Sequence, residues 1–325
     1  MLVVDNRWSG RHGIGRYATE LLPRLSVPWR PIAPGGSPSS PTDSAFKRLT
    51  VGRRMPNAVY SPGYNGFLRA VPQTITLHDL IHLKSTGAAR YRPYYDGVLR
   101  PLLRRNGHVI TVSAAARDDI AEWLQDDSVE VINAGDGSSK EFAREGSSYR
   151  HPRPYVMWVG NLKPHKNAEV VFSAIAQIGE VDLVAVASDV AGVRRLAMKH
   201  GVESRVQSVT GIDDAALAAL YRGAVATLQP SLMEGFGLPA LESLLCGTPV
   251  VYFSGCRSVA EICQNGGVAV ADPNDATEWA AAIQTISWRV DETTSQSLAS
   301  TYSWDLTAST VSQVLRERHG AALAS

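Results

Sequence analysis

The feature of this sequence that most constrains its fold is a regular alternation of short apolar runs with longer helical patterns. Such alternation is typical of stacked βαβ units, in which helices cover a parallel sheet. Strands are predicted near 2–5, 58–60, 74–77, 108–112 and 129–132 in the first half. In the second half they are predicted near 155–159, 183–187, 206–209, 226–228, 250–253 and 268–271. The pattern therefore predicts an α/β fold with parallel sheets.

A stretch rich in glycine, serine and proline lies between Glu145 and Pro154 and is typical of a linker. It divides the chain almost evenly. We therefore expect two domains, residues 1–150 and residues 151–325, each long enough to bury its own core.

The first domain is predicted to open with a strand, a short loop and a helix. The loop holds Gly13 and Gly15, and the helix is predicted from Gly15 to Leu22. Pro23 should end or kink this helix, because proline has no backbone N–H and its ring clashes with the preceding turn.

The composition favours a globular protein that is not disordered, with 44% hydrophobic and 19% charged residues. No apolar run approaches the roughly 18 residues that a membrane-spanning helix needs. The first residues lack an apolar stretch of the kind found in secretory signals. The cysteines, Cys246, Cys256 and Cys263, do not have metal-ligand spacing. We therefore expect reduced thiols and a cytoplasmic protein.

The charge is unevenly distributed between the two halves. Residues 1–150 carry 20 Lys and Arg against 14 Asp and Glu, whereas residues 151–325 carry 12 against 17. The basic excess of the first half favours peripheral contact with the inner face of a membrane or with an anionic acceptor. Scattered, solvated arginines are the alternative. We expect no nucleic-acid partner.

The most informative run of residues combines glycines with two carboxylates. Glu234 lies on a glycine-rich loop, and Glu242 lies in the first turns of a helix predicted over 239–246. Proline suits the first position of this helix, and Gly247 suits the residue just past its end. The N-terminus of the helix would direct N–H groups toward residues 235–238 and form a site for a phosphate-sized anion. The carboxylates only accept hydrogen bonds and therefore suit sugar hydroxyls.

The segment from Pro230 to Glu242 resembles the Glu-x7-Glu signature of the retaining glycosyltransferases of family 4. Further segments resemble the same family in order and spacing, namely 210–214, 220–224, 249–251 and 258–262. The resemblance implies a GT-B fold, with two Rossmann-like domains whose parallel sheets face each other across a cleft. It also implies that the last helix, at about 303–320, crosses back to the N-terminal acceptor-side domain.

The resemblance implies roles for the residues of this run. Glu234 would accept hydrogen bonds from hydroxyls of the donor sugar, and Glu242 would bind the ribose hydroxyls. Ile212 is a candidate for the wall that faces the base. The backbone amides that would contact sugar and phosphate are those of Gly235, Phe236, Gly237 and Leu238.

The family's phosphate lysine matches Lys166, in the turn that follows the first strand of the second domain. At Asn161 the family often has Arg, so one phosphate contact is weaker here unless Lys163 or His165 supplies it. The sequence has no Asp-x-Asp pair. We therefore expect no metal cofactor, because Lys166 and helix N-termini would stabilise the leaving diphosphate.

Two features of the first domain also resemble the family. Gly13 and Gly15 match a glycine turn that approaches the diphosphate, although glycine pairs often only make a turn. His78 matches a His-Asp pair at the end of a strand, where the His faces the donor sugar. The carboxyl edge of a parallel sheet is where ligands bind in open α/β folds. A purely structural histidine is the alternative.

Together these features predict a retaining hexosyltransferase. Its donor is a nucleoside-diphosphate sugar, and its acceptor is a hydroxyl of a glycan or glycolipid. Mannose from GDP-mannose is favoured, because the turn over 160–167 resembles that of bacterial polysaccharide mannosyltransferases. Two alternatives stay open. A nucleotide-sugar epimerase shares the fold, and an inactive scaffold relative would be consistent with Asn161.

Overall fold

The computed structural model describes residues 1–10, 13–32, 35–40, 43, 56–68, 71–85 and 87–323. The chain forms two compact units. The first unit consists of residues 1–137 and 302–325, and the second consists of residues 138–301.

The α-helices, in chain order, are α1 (Gly13–Leu21), α2 (Ile81–Lys84), α3 (Arg92–Tyr94), α4 (Arg100–Asn106), α5 (Ala114–Leu124), α6 (Glu169–Gln177), α7 (Val190–Lys199), α8 (Asp214–Gly223), α9 (Leu238–Leu245), α10 (Arg257–Cys263), α11 (Ala276–Gln284), α12 (Glu292–Thr301) and α13 (Trp304–Leu323). A π-helical turn, Tyr95–Leu99, joins α3 to α4. Within the described ranges, no helix combines the length and the apolar composition that crossing a bilayer would require.

The sheet of the first unit is parallel. Its strands are β1 (Leu2–Val4), β2 (Trp29–Pro31), β3 (Ala58–Ser61), β4 (Gln73–Ile75), β5 (His108–Thr111) and β6 (Glu130–Asn133). In the part of the chain that is described, the first four pair in the order β2-β1-β3-β4, and β5 pairs with β6. A main-chain hydrogen bond of 2.8 Å from Leu77 N to Ile110 O connects the end of β4 to β5. Strands β1, β3, β4 and β5 are buried throughout, as expected for parallel strands that are covered on both faces.

Helix α1 differs from its prediction at one end and agrees at the other. The helix begins at Gly13, two residues before the predicted start at Gly15, so the prediction that Gly13 lies in a loop was wrong. Gly15 is needed for packing, because a Cβ there would lie 2.5 Å from the carbonyl oxygen of Gly10. At the other end, α1 stops at Leu21 and a 3-10 turn containing Pro23 follows, as predicted.

The second unit contains a parallel sheet of β7 (Tyr155–Val159), β8 (Asp182–Val186), β9 (Val206–Val209), β10 (Thr227–Gln229), β11 (Val250–Phe253) and β12 (Gly267–Val270). The described strands pair in the order β12-β11-β10-β7-β8-β9. The core beside this sheet includes Trp158, Phe172 and Trp279, all fully or almost fully buried. These large side chains fix the sheet against its helices, because buried apolar area is the main stabilising contribution to folding.

The division between the units falls before the linker-like stretch, so residues 138–150 belong to the second unit. Arg222 of α8 explains this position. Its guanidinium donates hydrogen bonds to the carbonyl oxygens of Ala143 and Ser147 over 2.9 and 2.8 Å. A main-chain bond of 2.8 Å from Tyr149 N to Ala219 O adds to them. Composition indicated a linker, but these contacts attach the stretch to one unit.

Candidate functional site

The candidate site of the second unit lies where its strand order reverses. The chain passes from β7 through β8 to β9 on one side of the sheet and then returns to β10 on the other side of β7. In open α/β sheets, ligands bind at the carboxyl ends of the strands at such a switch point. The loops 160–168 and 230–237 leave β7 and β10 here. A main-chain hydrogen bond of 2.8 Å from Leu232 N to His165 O joins the two loops.

Lys166 and Glu234 meet at this switch point. The Lys166 Nζ lies 2.6 Å from Glu234 Oε1, and the two side chains are 16% and 10% exposed. Gln229, the last residue of β10, donates from Nε2 to the same Oε1 over 3.0 Å. The Ser258 hydroxyl donates to the main-chain carbonyl of Glu234 over 2.9 Å. Two of the residues predicted from the sequence as catalytic are therefore direct partners in a largely enclosed ion pair.

The loop after Glu234 leads directly into α9. Gly237 has a φ of +126°, and a Cβ there would lie 3.0 Å from Val259 Cγ2, so only glycine fits without strain. The helix was predicted over 239–246 and spans Leu238–Leu245, a shift of one residue. Gly247 has a φ of +76° past its end, as its position predicted. Phe236 is only 5% exposed, so its ring is buried.

Glu242 has a different environment from Glu234. It lies in α9 and is 2% exposed. Its Oε2 accepts a hydrogen bond of 3.1 Å from the hydroxyl of Tyr221, which is itself fully buried in α8. A buried carboxylate requires such donors, because burying a charge without a partner is costly. The phenol therefore fixes the direction of this carboxylate.

Asn161 and Ile212 lie in the neighbouring loops. Asn161 is exposed, and its Oδ1 accepts a hydrogen bond of 3.1 Å from the main-chain N–H of Lys163. Its amide therefore closes the turn, which is a structural task that an arginine could not perform in the same way. Ile212 is half-buried and directly precedes Asp213, the N-cap of α8.

An open cavity of about 340 Å³ borders the loop after β7. Its lining residues are Leu162, Lys163, Pro164, Asn167, Ala168, Glu169, Gly192, Arg195 and Leu196. Neither Lys166 nor Glu234 is among them. The cavity therefore lies beside the ion pair and does not contain it.

In the first unit, α1 and His78 are neighbours. The ring of His78 lies 4.7 Å from the ring of Tyr17 of α1, in an edge-on arrangement. His78 is 9% exposed, and its Nε2 donates to the carbonyl oxygen of Pro62 over 2.9 Å. Around Gly13, by contrast with Gly15, a Cβ would meet no atom within 4 Å. The donor contacts implied for Gly13, Gly15 and His78 remain predictions.

A buried polar network lies at the switch point of the first unit, between β1 and β3. Arg7 donates to Asp5 Oδ2 and Asp43 Oδ2 over 2.6 and 2.7 Å, and Asn65 donates to Asp5 Oδ2 over 2.7 Å. Burial lowers the pKa of Arg7, but the hydrogen bonds to Asp43 and Asp5 outweigh burial and raise that pKa above its ordinary value. The sequence reasoning missed this network. Its one local signal was a charged Asp5 directly after an apolar strand.

The thiols are not arranged for chemistry. Cys246, Cys256 and Cys263 are all buried. Burial raises the pKa of Cys256 to about 12, so this thiol near Glu234 stays protonated at neutral pH. Across the described residues, no group of three or more His, Cys, Asp or Glu side chains could hold a metal ion.

Comparison with solved structures defines the fold as GT-B, an α/β fold with parallel sheets in two Rossmann-like units. A glycosyltransferase from Rickettsia africae ESF-5 is similar with a TM-score of 0.70 at 14% identity, over 98% of this chain and 97% of that chain. Residues 139–288 match the family described as Glycosyl transferases group 1. The matched segment contains Lys166, Gln229, Glu234 and Glu242.

Two relatives are similar in sequence. The O-antigen chain mannosyltransferase RfbU of Salmonella typhimurium is 26% identical over 225 residues, which cover 66% of this chain and 60% of that protein. The O-antigen chain mannosyltransferase B of Escherichia coli is 30% identical over 165 residues, 46% of this chain and 42% of that protein. The chain thus spans less than two thirds of the length of these relatives.

Proposed function

We propose that this chain is a retaining, metal-independent glycosyltransferase that moves a hexose from a nucleoside-diphosphate sugar to a hydroxyl of a glycan or glycolipid. The observation that carries the proposal is the Lys166–Glu234 ion pair at the switch point, beside the N-terminus of α9. GDP-mannose is the favoured donor. The similarity to two proteins named O-antigen chain mannosyltransferases supports this choice.

The cationic groups of this site suit a diphosphate. An ammonium group has three N–H donors, so Lys166 can contact Glu234 Oε1 and a phosphate oxygen at the same time. The N-terminus of α9 adds a partial positive charge and amide groups that have no acceptor within the helix. Both would stabilise the negative charge that develops on the leaving diphosphate, and neither requires a metal ion.

The two carboxylates suit the hydroxyl groups of the donor. Glu234 would accept from hydroxyls of the hexose, and Glu242 would accept from the ribose. In the reaction, the bond between the anomeric carbon and the phosphate oxygen breaks. The acceptor oxygen forms a new bond on the same face, and its proton passes to the departing phosphate oxygen. No protein nucleophile is required for this sequence of bond changes.

Donor screening tests the proposal. The chain is incubated with GDP-mannose, GDP-glucose or UDP-glucose in excess EDTA, with and without a mannose-containing acceptor, and release of nucleoside diphosphate is measured. We expect acceptor-dependent release with an α-linked product, which proton NMR can identify. Loss of activity in EDTA that magnesium or manganese restores would contradict metal independence. An isomerised nucleotide sugar formed without acceptor would instead support the epimerase.

The proposal includes peripheral contact with an anionic membrane surface, where a lipid-linked acceptor would be found. Residues 81–106 carry six Lys and Arg and a single Asp. The side chains of Arg92 and Lys84 in this segment are 63% and 44% exposed. We expect the protein to float with vesicles that contain anionic lipid and to dissociate as salt is added. Equal flotation with neutral and anionic vesicles would contradict this part of the proposal.

A further inference from the structure

Gln229 is a buried amide at the centre of the candidate site. It ends β10 and is 2% exposed. Its Nε2 donates to Glu234 Oε1 over 3.0 Å and to Ser231 Oγ over 3.3 Å. A primary amide nitrogen carries two N–H groups, so these bonds use both of them. The direction of the Gln229 amide is therefore fixed by Glu234 and Ser231, both on the loop that follows β10.

We propose that Gln229 is a positioning residue that determines which oxygen of Glu234 faces the donor sugar, and thereby which hexose is accepted. This inference rests on the proposed function. Lys166 and Gln229 both donate to Oε1 of the carboxylate. With Oε1 occupied by two donors, Oε2 is the oxygen that a sugar hydroxyl would meet.

The two donors to Glu234 differ in how firmly they are held. Lys166 has a flexible side chain and lies on a loop, and in the proposed reaction it also binds the diphosphate. Gln229 lies on a central strand whose backbone pairs in register with Tyr252 of β11. When the ammonium of Lys166 turns toward phosphate, the amide of Gln229 still fixes the carboxylate. Recognition of the sugar is thus separated from binding of the phosphates.

This arrangement leads to specificity. A site built to hydrogen-bond a given hydroxyl rejects an analogue that presents the hydroxyl elsewhere, because buried polar groups are then left unpaired. Without Gln229, the carboxylate of Glu234 can rotate, and either oxygen can follow the hydroxyl of an epimer. Loss of the amide should therefore reduce discrimination between epimers more than it reduces affinity for the nucleotide.

The test compares Gln229→Leu and Gln229→Glu with the wild-type chain. Gln207→Leu is the matched control, since Gln207 lies on β9 and bonds to the Tyr149 hydroxyl, away from the ion pair. Calorimetry gives the affinity for GDP, and kinetics give kcat/KM for GDP-mannose and its epimer GDP-glucose. For Gln229→Leu we expect the affinity for GDP to stay within about twofold of wild type. Discrimination between the two epimeric donors should be roughly tenfold weaker, because about one hydrogen bond to a charged group is lost. The control should retain both values.

The isosteric variant Gln229→Glu adds a readout that a purely structural role would not change. At neutral pH its carboxylate would repel Glu234 and lower kcat. At lower pH a shared proton turns one of the two carboxyl groups into a donor and restores the bond. We therefore expect the kcat of this variant, relative to wild type, to rise as the pH falls from about 7.5 to 5.5, a window above the ordinary pKa of a carboxyl group. If Gln229→Leu does not fold, the pH profile of Gln229→Glu tests the inference instead.

The outcomes separate the inference from the proposed function. If both Gln229 variants bind nucleotide as the wild-type chain does and discriminate between the epimers equally well, the inference is wrong and the proposed function stands. Equal losses of GDP affinity and of kcat/KM for both donors also overturn the inference, because Gln229 would then only support the fold. A wild-type chain that binds no nucleoside diphosphate overturns the proposed function and the inference together.

Discussion

Glu234 and Glu242 are the same residue type, yet the structure gives them different partners. Glu234 contacts a cation and an amide, whereas Glu242 contacts a phenol and is almost completely buried. The sequence predicted that both belong to one site, because their spacing and the intervening glycines and proline define a loop followed by a helix. It did not predict the partners. Gln229 ends a short strand and Tyr221 lies in an amphipathic helix, and only the packing of the sheet brings them to the carboxylates.

Lys166→Ala should lower kcat far more than Lys163→Ala. A positioned cation aimed at developing charge contributes roughly a hundredfold or more to the rate, while a solvated surface lysine contributes little. Lys163 is exposed, and its structural contact is made by its main-chain N–H. Steady-state kinetics with the active donor give kcat for both variants. Similar rates for the two variants would mean that Lys163 performs the task assigned to Lys166.

Glu242→Gln should weaken binding of free nucleoside diphosphate, since a ribose hydroxyl would lose a charged acceptor, a loss of about 1.5–3 kcal/mol. Glu234→Gln should leave that affinity nearly unchanged and reduce turnover of the intact donor. Calorimetry with GDP and kinetics with GDP-mannose separate the two effects. Equal losses of GDP affinity in both variants would contradict this division of roles.

At the scale of elements, periodicity predicted the described strands with the exception of β2. The predicted runs over 155–159, 206–209 and 250–253 have the same bounds as β7, β9 and β11. Strand β2 was not predicted, because it is a short edge strand, half-buried at Trp29 and exposed at its other residues, and it contains a proline. Its pairing with β1 depends on the sheet and not on its own sequence.

Gly237→Ala should weaken nucleotide binding as well as stability. Its φ of +126° strains any residue with a Cβ, and the new methyl group, next to the start of α9, would press on Val259 of α10. The expected loss of stability is about 1–3 kcal/mol. Gly201→Ala is the control, because Gly201 also has a positive φ, +65°, but open space around it. Chemical denaturation should show losses in both variants, and calorimetry a loss of GDP affinity only in Gly237→Ala. Unchanged affinity in Gly237→Ala would mean that the start of α9 does not contact the ligand.

At the scale of the whole molecule, the two units share one arrangement. Each has a parallel sheet whose strand order reverses once, and a buried ionic group lies at that reversal, Arg7 with Asp5 and Asp43 in the first unit and Lys166 with Glu234 in the second. Topology explains this repetition, because reversal leaves the ends of two strands free of crossing helices. The sequence predicted the second group through its motif. It did not predict the first, because no motif in the sequence analysis includes Arg7, Asp5 and Asp43.

Within the first unit, α13 contacts β4 and β5 through a pair of histidines, and this contact predicts how stability depends on pH. Thr74 Oγ1 lies 2.8 Å from Nε2 of both His108 and His319, the latter on α13. His108 donates from Nδ1 to the carbonyl oxygen of Asn106 over 3.0 Å. When both rings are neutral, His108 Nε2 accepts from the Thr74 hydroxyl, and His319 Nε2 donates to it. Protonation of His108 would leave two N–H groups facing one hydroxyl.

Acid should therefore weaken the attachment of α13. Burial lowers the pKa of His108, and burial together with His108 lowers the pKa of His319 to about 4. A histidine whose pKa is lower in the folded state stabilises fully above its unfolded pKa of about 6.5 and loses that contribution as the pH falls toward the folded value. Between pH 7 and 4, the free energy of unfolding should fall by on the order of 2–3 kcal/mol through this pair, at ~1.4 kcal/mol per pKa unit.

In urea denaturation, the free energy of unfolding of His319→Gln should depend less on pH than that of wild type. The control Gln313→Ala, an exposed change on the same helix, should follow the wild-type dependence. Parallel slopes for His319→Gln and wild type would show that the histidine pair does not couple protonation to folding.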